Sequence, residues 1–248
     1  MSKLEDRIKK VMRSAPAPLG FAVAASRAAD ATMLTVVRLA GSDLGKIGDA
    51  AEKGADVIVA EASDAGKLKR EVGKAAGAVV GAALERASRD DVSSLREAGA
   101  DFVTLDVDSS KAEAMLEKNV GFVLQVGLDA EDTDLRLIGD LQLDALIVPT
   151  VAAGFSIREL LKLRRIAALA RTPLLMPLDA GIDASSLQAL RECGVVGVIV
   201  DGSSIGKLGK LRETIAALPA RGHRREEKAD ATIPSGGGGG DDDDWDDE

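Results

Sequence analysis

The sequence predicts an α/β protein of the (β/α)8 barrel class, the TIM barrel, and three observations carry that expectation. First, a phrase recurs in three versions: residues 52–59 read EKGADVIV, 97–104 read EAGADFVT and 192–199 read ECGVVGVI. Each joins the polar end of an amphipathic stretch to a Gly and then to an apolar run. That is the pattern of a helix closing at a C′ glycine and delivering the chain into a buried strand. Second, the glycines at 54, 99 and 194 lie 45 and 95 residues apart, which fits two and four units of roughly 23 residues. Third, eight apolar runs follow one another without interior charge short of their C-terminal ends, where Arg38 stands in the first, as expected of parallel strands covered on both faces. An open doubly wound sheet is the rival, but it more often shows five or six strands and two edges.

Taken in order, residues 1–13 place Leu4, Ile8, Val11 and Met12 on one face and Lys and Arg on the other. This predicts a helix packed over the bottom of the barrel, with a membrane-surface helix as the alternative. Pro16 and Pro18 end it. The apolar run 20–25 is unplaced; an extra strand outside the repeat is one reading. Strands are then expected at 33–39, 56–61, 78–84, 102–106, 122–127, 145–149, 174–178 and 197–201. Between them lie amphipathic helices near 43–53, 64–75, 89–98, 110–118, 132–141, 156–170 and 183–193, with a last one at 204–217. The division is thus 1–32 for the N-terminal helix and lead-in, 33–218 for the barrel, and 219–248 for a charged, Gly-rich linker and acidic tail. The tail is expected to be disordered, since it cannot bury apolar area or escape self-repulsion.

Composition excludes several classes. The 248 residues include no Tyr and one Trp, so the core is aliphatic. The single Cys193 excludes an internal disulfide and reads as a small buried residue. No targeting segment or bilayer-spanning run is visible, so a cytoplasmic location is the expectation. The formal net charge is −9, but seven acids lie from Asp241 to Glu248, leaving −2 for residues 1–240. Such a body offers no basic stripe for nucleic acid. The only His, His223, lies beyond the last helix, which leaves no His for a zinc site or a Ser-His dyad in the barrel. No Lys falls in a strand interior or at a strand's C-terminal end, which argues against Schiff-base chemistry.

In such barrels chemistry lies where the strands end. Those ends read Arg38, Glu61, Glu85, Asp106, Gln125, Thr150, Asp179 and Asp201. Glu61, Glu85 and Asp106 are candidate catalytic residues: beside Arg38, such acids supply a general base or hold Mg2+, the one candidate cofactor, through oxygen ligands. The alternative is that strand-end acids cap the following helices, the role expected of Asp108, Ser109 and Asp183. After strands seven and eight the loops DAGI (179–182) and GSSIGK (202–207) are rich in small residues. They nominate Gly181, Gly202, Ser203 and Ser204, with Arg38, for a phosphate or carboxylate. The loop 150–156 is either a lid or a connection.

At these residues the chain resembles the ribulose-phosphate-binding type of barrel, most of all the keto-deoxy-phosphogluconate aldolases. The likeness spans roughly residues 33–218 and is closest over 78–104, AVVGAALERASRDDVSSLREAGADFVT. The family's phosphate-binding turns are echoed by 179–182 and by Gly202-Ser203. Aligning on Pro149 sets Leu146 where the family keeps its Schiff-base Lys, and aligning on Gly54 sets Val59 where it keeps a catalytic Glu. Glu61, two residues on, faces the same side. The resemblance therefore implies the fold and an anion site, and argues against the family's aldolase mechanism.

Two functions follow as expectations. One is a barrel binding a small phosphorylated or carboxylated metabolite, lyase- or isomerase-like through carboxylate acid/base chemistry. The other is a catalytically silent barrel acting as a binding or scaffold protein through 241–248, where Trp245 is an anchor and the flanking acids steer it to a basic groove. A homo-oligomer is compatible with either; nucleic acid and membranes are not expected partners.

Overall fold

In the computed structural model, which describes residues 2–13, 32–61, 64–152 and 154–219, the eight apolar runs are eight parallel strands. They are β1 (Leu34–Leu39), β2 (Val57–Glu61), β3 (Val79–Ala83), β4 (Phe102–Asp106), β5 (Gly121–Gln125), β6 (Ala145–Ile147), β7 (Leu174–Pro177) and β8 (Val195–Asp201). Every boundary falls within two residues of the expected one. β1 pairs with both β2 and β8, so the sheet closes in the order β1 to β8 and leaves no edge. Segments 14–31, with the unplaced run 20–25, and 220–248, with His223 and the acidic run, lie outside the described residues. Among the described residues no helix is long and apolar enough to cross a membrane.

The recurrent phrase does what its glycines require. Gly54, Gly99 and Gly194 have φ of 95°, 102° and 105°, a conformation that costs a side chain dearly and a glycine little. The Ala55 and Ala100 amides then reach back to the Ala50 and Leu95 carbonyls at 2.9 and 3.0 Å, closing the helix in a Schellman turn. The helices so ended include α2 (Ile47–Glu52), α4 (Arg89–Glu97) and α7 (Ala184–Glu192); α3 (Ala65–Glu71), α5 (Asp132–Gly139), α6 (Ile157–Ala170) and α8 (Leu208–Ala216) complete the ring. One expected helix is much reduced. In place of 110–118 there is a 3-10 segment, Ala112–Leu116, without a side-chain cap at Lys111. Two arginines of α4, Arg89 and Arg96, draw Glu117 away at 3.5 and 3.1 Å. A stretch this short, without a cap, does not recover the cost of helix nucleation.

Strand parity divides the core in two. Val37, Ile58, Val80, Val103, Leu124 and Leu146 pack outward against the helices. Val36, Val57, Val59, Val79, Phe102, Val123, Ile147 and Ile199 fill the interior, and with them lie Leu4, Ile8 and Val11 of the N-terminal helix α1 (Lys3–Met12). α1 therefore plugs the bottom of the barrel, and each of these three buried side chains contributes roughly 1.5–3 kcal/mol of burial.

Three aspartates that precede strands fasten the plug. Asp101 accepts the Lys3 and Leu4 amides at 3.0 and 2.9 Å. Asp144 accepts the Ser2 hydroxyl at 2.5 Å. Asp56 accepts the Thr35 amide at 2.9 Å and meets Arg7 at 3.7 Å. Burial pushes the Asp144 carboxyl up to about 6, against the lowering effect of the Ser2 hydrogen bond and with help from nearby Glu5 and Asp101.

Candidate functional site

The open end is the C-terminal mouth, and its best-formed part lies where β1, β7 and β8 end. Arg38 on β1 stands in register with Asp201 on β8 and Val59 on β2. Its Nε is 3.8 Å from Glu61 Oε1, too far for a hydrogen bond, and this buried Nε has no hydrogen-bond partner. A cavity of about 370 Å³ opens beside it, with Thr150, Asp179, Asp201, Ser203 and Ser204 as polar walls and Pro177 and Ile199 as floor. That volume suits a small metabolite.

The two nominated glycines act differently. A Cβ on Gly202 would come within 2.7 Å of a Leu39 methyl and 3.3 Å of the Arg38 carbonyl, so this glycine lets the turn after β8 close down on β1. The turn, a 3-10 segment Gly202–Lys207, opens without a side-chain cap at Asp201 and presents Ser203 and Ser204 to the cavity. The Gly181 amide, in contrast, donates to Asp179 Oδ1 at 2.8 Å. Gly181 shapes its own loop and is not among the cavity-lining residues.

Across the mouth the acids are organised otherwise. Asp106 Oδ1 accepts the amides of Asp108 and Ser109 at 3.1 and 3.0 Å. The Ser109 hydroxyl lies between this carboxylate, at 2.8 Å, and the Glu85 carbonyl, donating to one at a time. The Ser109 side-chain hydrogen bond, helped by both amides, holds the Asp106 carboxyl below its ordinary range. Asp108 and Ser109 therefore cap no helix, contrary to expectation; they are donors that tie down Asp106. Glu85 lies two residues beyond β3 and is exposed. Asp183 does cap α7, accepting the Ser186 amide at 3.0 Å, and hydrogen bonds from Ser185 and Ser186 hold its carboxyl well below the usual range.

The structure corrects one alignment. Leu146 packs outward with the helices, so it does not occupy the place of a residue that faces the interior. The inward residues of β6 are Ala145 and Ile147, and among the described residues no Lys or His stands on a strand. Among the described residues no three His, Cys, Asp or Glu side chains converge as a metal site. The mouth acids stand on separate strand ends.

Sequence reasoning passed over Thr104. Its side chain, fully buried on the interior parity of β4 beneath Asp106, has no hydrogen-bond partner for its hydroxyl, an unusual state for a buried polar group. The signal available was its alternation with Phe102 and Asp106. The three plug aspartates were also passed over, although two of them, Asp56 and Asp101, stand inside the recurrent phrase.

No protein-family model and no curated protein matches the chain. Solved structures do match in fold. Tryptophan synthase from M. tuberculosis superposes with a TM-score of 0.61 at 12% identity, over 87% of this chain and 98% of that one. For 3-hexulose-6-phosphate synthase the values are 0.58 and 18%, over 76% and 100%. For native KDPGal aldolase they are 0.54 and 12%, over 73% and 91%. The chain shares with them the closed eight-stranded parallel barrel. At these identities the likeness is one of fold alone.

Proposed function

We propose that the cavity between the ends of β1, β7 and β8 binds a small phosphorylated or carboxylated metabolite and that the mouth carries lyase- or isomerase-like proton transfer. The observation that supports this reading is the buried Arg38 Nε, without a hydrogen-bond partner, beside a cavity lined by Ser203 and Ser204. A buried donor left unmade costs about 1–3 kcal/mol, and an oxyanion on Arg38 would remove that cost. The two serines add hydroxyl donors, and Arg38 supplies the charge. Among the mouth acids named as candidate bases, Glu61 is best placed to move a proton. Asp106 is tied into its own loop, and Glu85 lies beyond the strand. Glu61 faces the interior within 3.8 Å of the same Arg38. It would remove a proton from a carbon next to a carbonyl whose neighbouring anionic group Arg38 holds. The likeness in fold to hexulose-phosphate synthase and KDPGal aldolase favours a keto-sugar phosphate as first probe.

Thermal unfolding with inorganic phosphate and with a five-carbon keto-sugar phosphate tests the binding. A ligand at 100 times its Kd stabilises the native state by about 2.7 kcal/mol, and Arg38→Ala should erase that gain. No shift with either probe at millimolar concentration would overturn the anion site. Deuterium exchange of the ligand's α-proton, absent in Glu61→Gln, tests the chemistry. The absence of Lys and His from the strands favours a second reading, a binding protein without catalysis. Stabilisation with no exchange would decide for it.

A further inference from the structure

The closed end of the barrel carries a feature that the mouth does not explain. α1 and the stretch 72–79 enclose a groove of about 680 Å³. Lys3, Arg7 and Lys10 line one side, and Val72, Ala75 and Ala78 give it an apolar floor; Asp6 is the acid among its lining residues. The turn that shapes it holds Ala76 and Gly77 at φ of 44° and 91°, and Arg7 pins that turn by donating to the Gly77 carbonyl at 2.6 Å.

The chain leaves the barrel at the same end. Ile215 and Ala216 of α8 line a second cavity with Met33, Thr35 and Asp56. Asp56 in turn meets Arg7 of the groove at 3.7 Å. Pro219 follows three residues after Ala216, and 25 residues lie between it and Trp245. That length spans up to about 90 Å when extended, ample for a site on the same end. We propose that the groove is the docking site of the acidic segment 241–248 of the same chain, with Trp245 on the apolar floor and its flanking carboxylates against Lys3, Arg7 and Lys10. The charges are complementary: the segment has seven acids and no base. Its indole is the chain's sole Trp, and a large amphipathic ring is the side chain best suited to anchor on such a floor. Tethering supplies an effective concentration on the order of millimolar, so the docked state needs only weak intrinsic affinity. Docking would add a second fastening to the plug, independent of anything bound at the mouth.

The chain has one Trp and no Tyr, so its fluorescence reports Trp245 directly. In the full chain the emission is expected to lie blue of that from the free peptide 236–248, with reduced quenching by acrylamide. Both differences should vanish in the Lys3→Glu/Lys10→Glu variant. They should also vanish for the wild type in about 1 M NaCl, where the Debye length is about 3 Å. The salt titration decides the matter alone if circular dichroism shows that the variant does not fold. Emission equal to that of the free peptide in low salt overturns the proposal. A blue shift indifferent to both the variant and salt places Trp245 elsewhere and overturns it too. A shift lost on dilution assigns the groove to a second copy and rejects the intramolecular contact.

Discussion

At the bottom of the barrel Asp56, Asp101 and Asp144 accept hydrogen bonds from main-chain amides or from Ser2 and hold a helix in place. At the top, Glu61 and Asp201 stand beside an arginine whose Nε has no hydrogen-bond partner, and the arginine and Asp201 line a cavity. The residue types are the same and both sets sit at strand ends. They differ in the donors within reach. Where backbone amides converge on a carboxylate it becomes a fastening; where they do not, it stays available to a ligand. Asp106 shows the same rule inside the mouth itself, since two amides and a hydroxyl make it a loop organiser.

Substitutions at the two ends should therefore separate stability from binding. Ile8→Ala removes a fully buried plug side chain and should cost about 2–5 kcal/mol in urea unfolding, leaving the ligand-induced shift of the surviving native fraction intact. A loss below about 0.5 kcal/mol would show that α1 is dispensable. Arg38→Ala is the mirror case. It should weaken anion binding by about 1.5–3 kcal/mol, the worth of a charged hydrogen bond, with little change in urea midpoint; titration calorimetry with phosphate reads the first quantity.

Asp101→Asn should cost about 1–2 kcal/mol, because it turns one acceptor of the two α1 amides into a donor facing a donor. Amide hydrogen exchange in α1 should rise with it, and unchanged protection would refute the fastening role.

Asp144 gives the smallest effect and a pH signature. Its carboxyl titrates near 6 in the folded chain against an ordinary 3.8, so the native state holds this proton more tightly than the unfolded chain does. The stability it contributes is complete below about pH 4 and is lost as pH rises through about 6. Allowing for solvent screening of a partly exposed group, the loss is on the order of 1 kcal/mol. Asp144→Asn should flatten the stability profile between those values, and a parallel wild-type and variant profile would count against the assignment.

The fold was largely legible because its punctuation is local. A C′ glycine at 54, 99 or 194 is demanded by the turn itself, and alternation within eight apolar runs follows from burial on both faces. The exception, 110–118, failed partly for a reason outside its own sequence: besides lacking a cap at Lys111, it loses Glu117 to Arg89 and Arg96 of α4. The site was legible only as a roster. Strand-end parity nominated Arg38, Glu61, Asp106 and the serines after β8, but not which acids would meet amides. Gly181 looked like an anion donor until its amide was found bound to Asp179.

The sequence alone determined the period, the eight strands, the apolar face of α1 and its place over the bottom, and the absence of Lys and His from the eight described strands. These depend on covalent chemistry and on patterns a few residues long. The tertiary structure decided which carboxylates are fastenings and which are open, which side chains hold α1 in place, and that Leu146 faces away from the interior. Those outcomes depend on donors brought together from residues about 20 to 140 positions apart. Barrel closure sets such distances, and no local pattern encodes them.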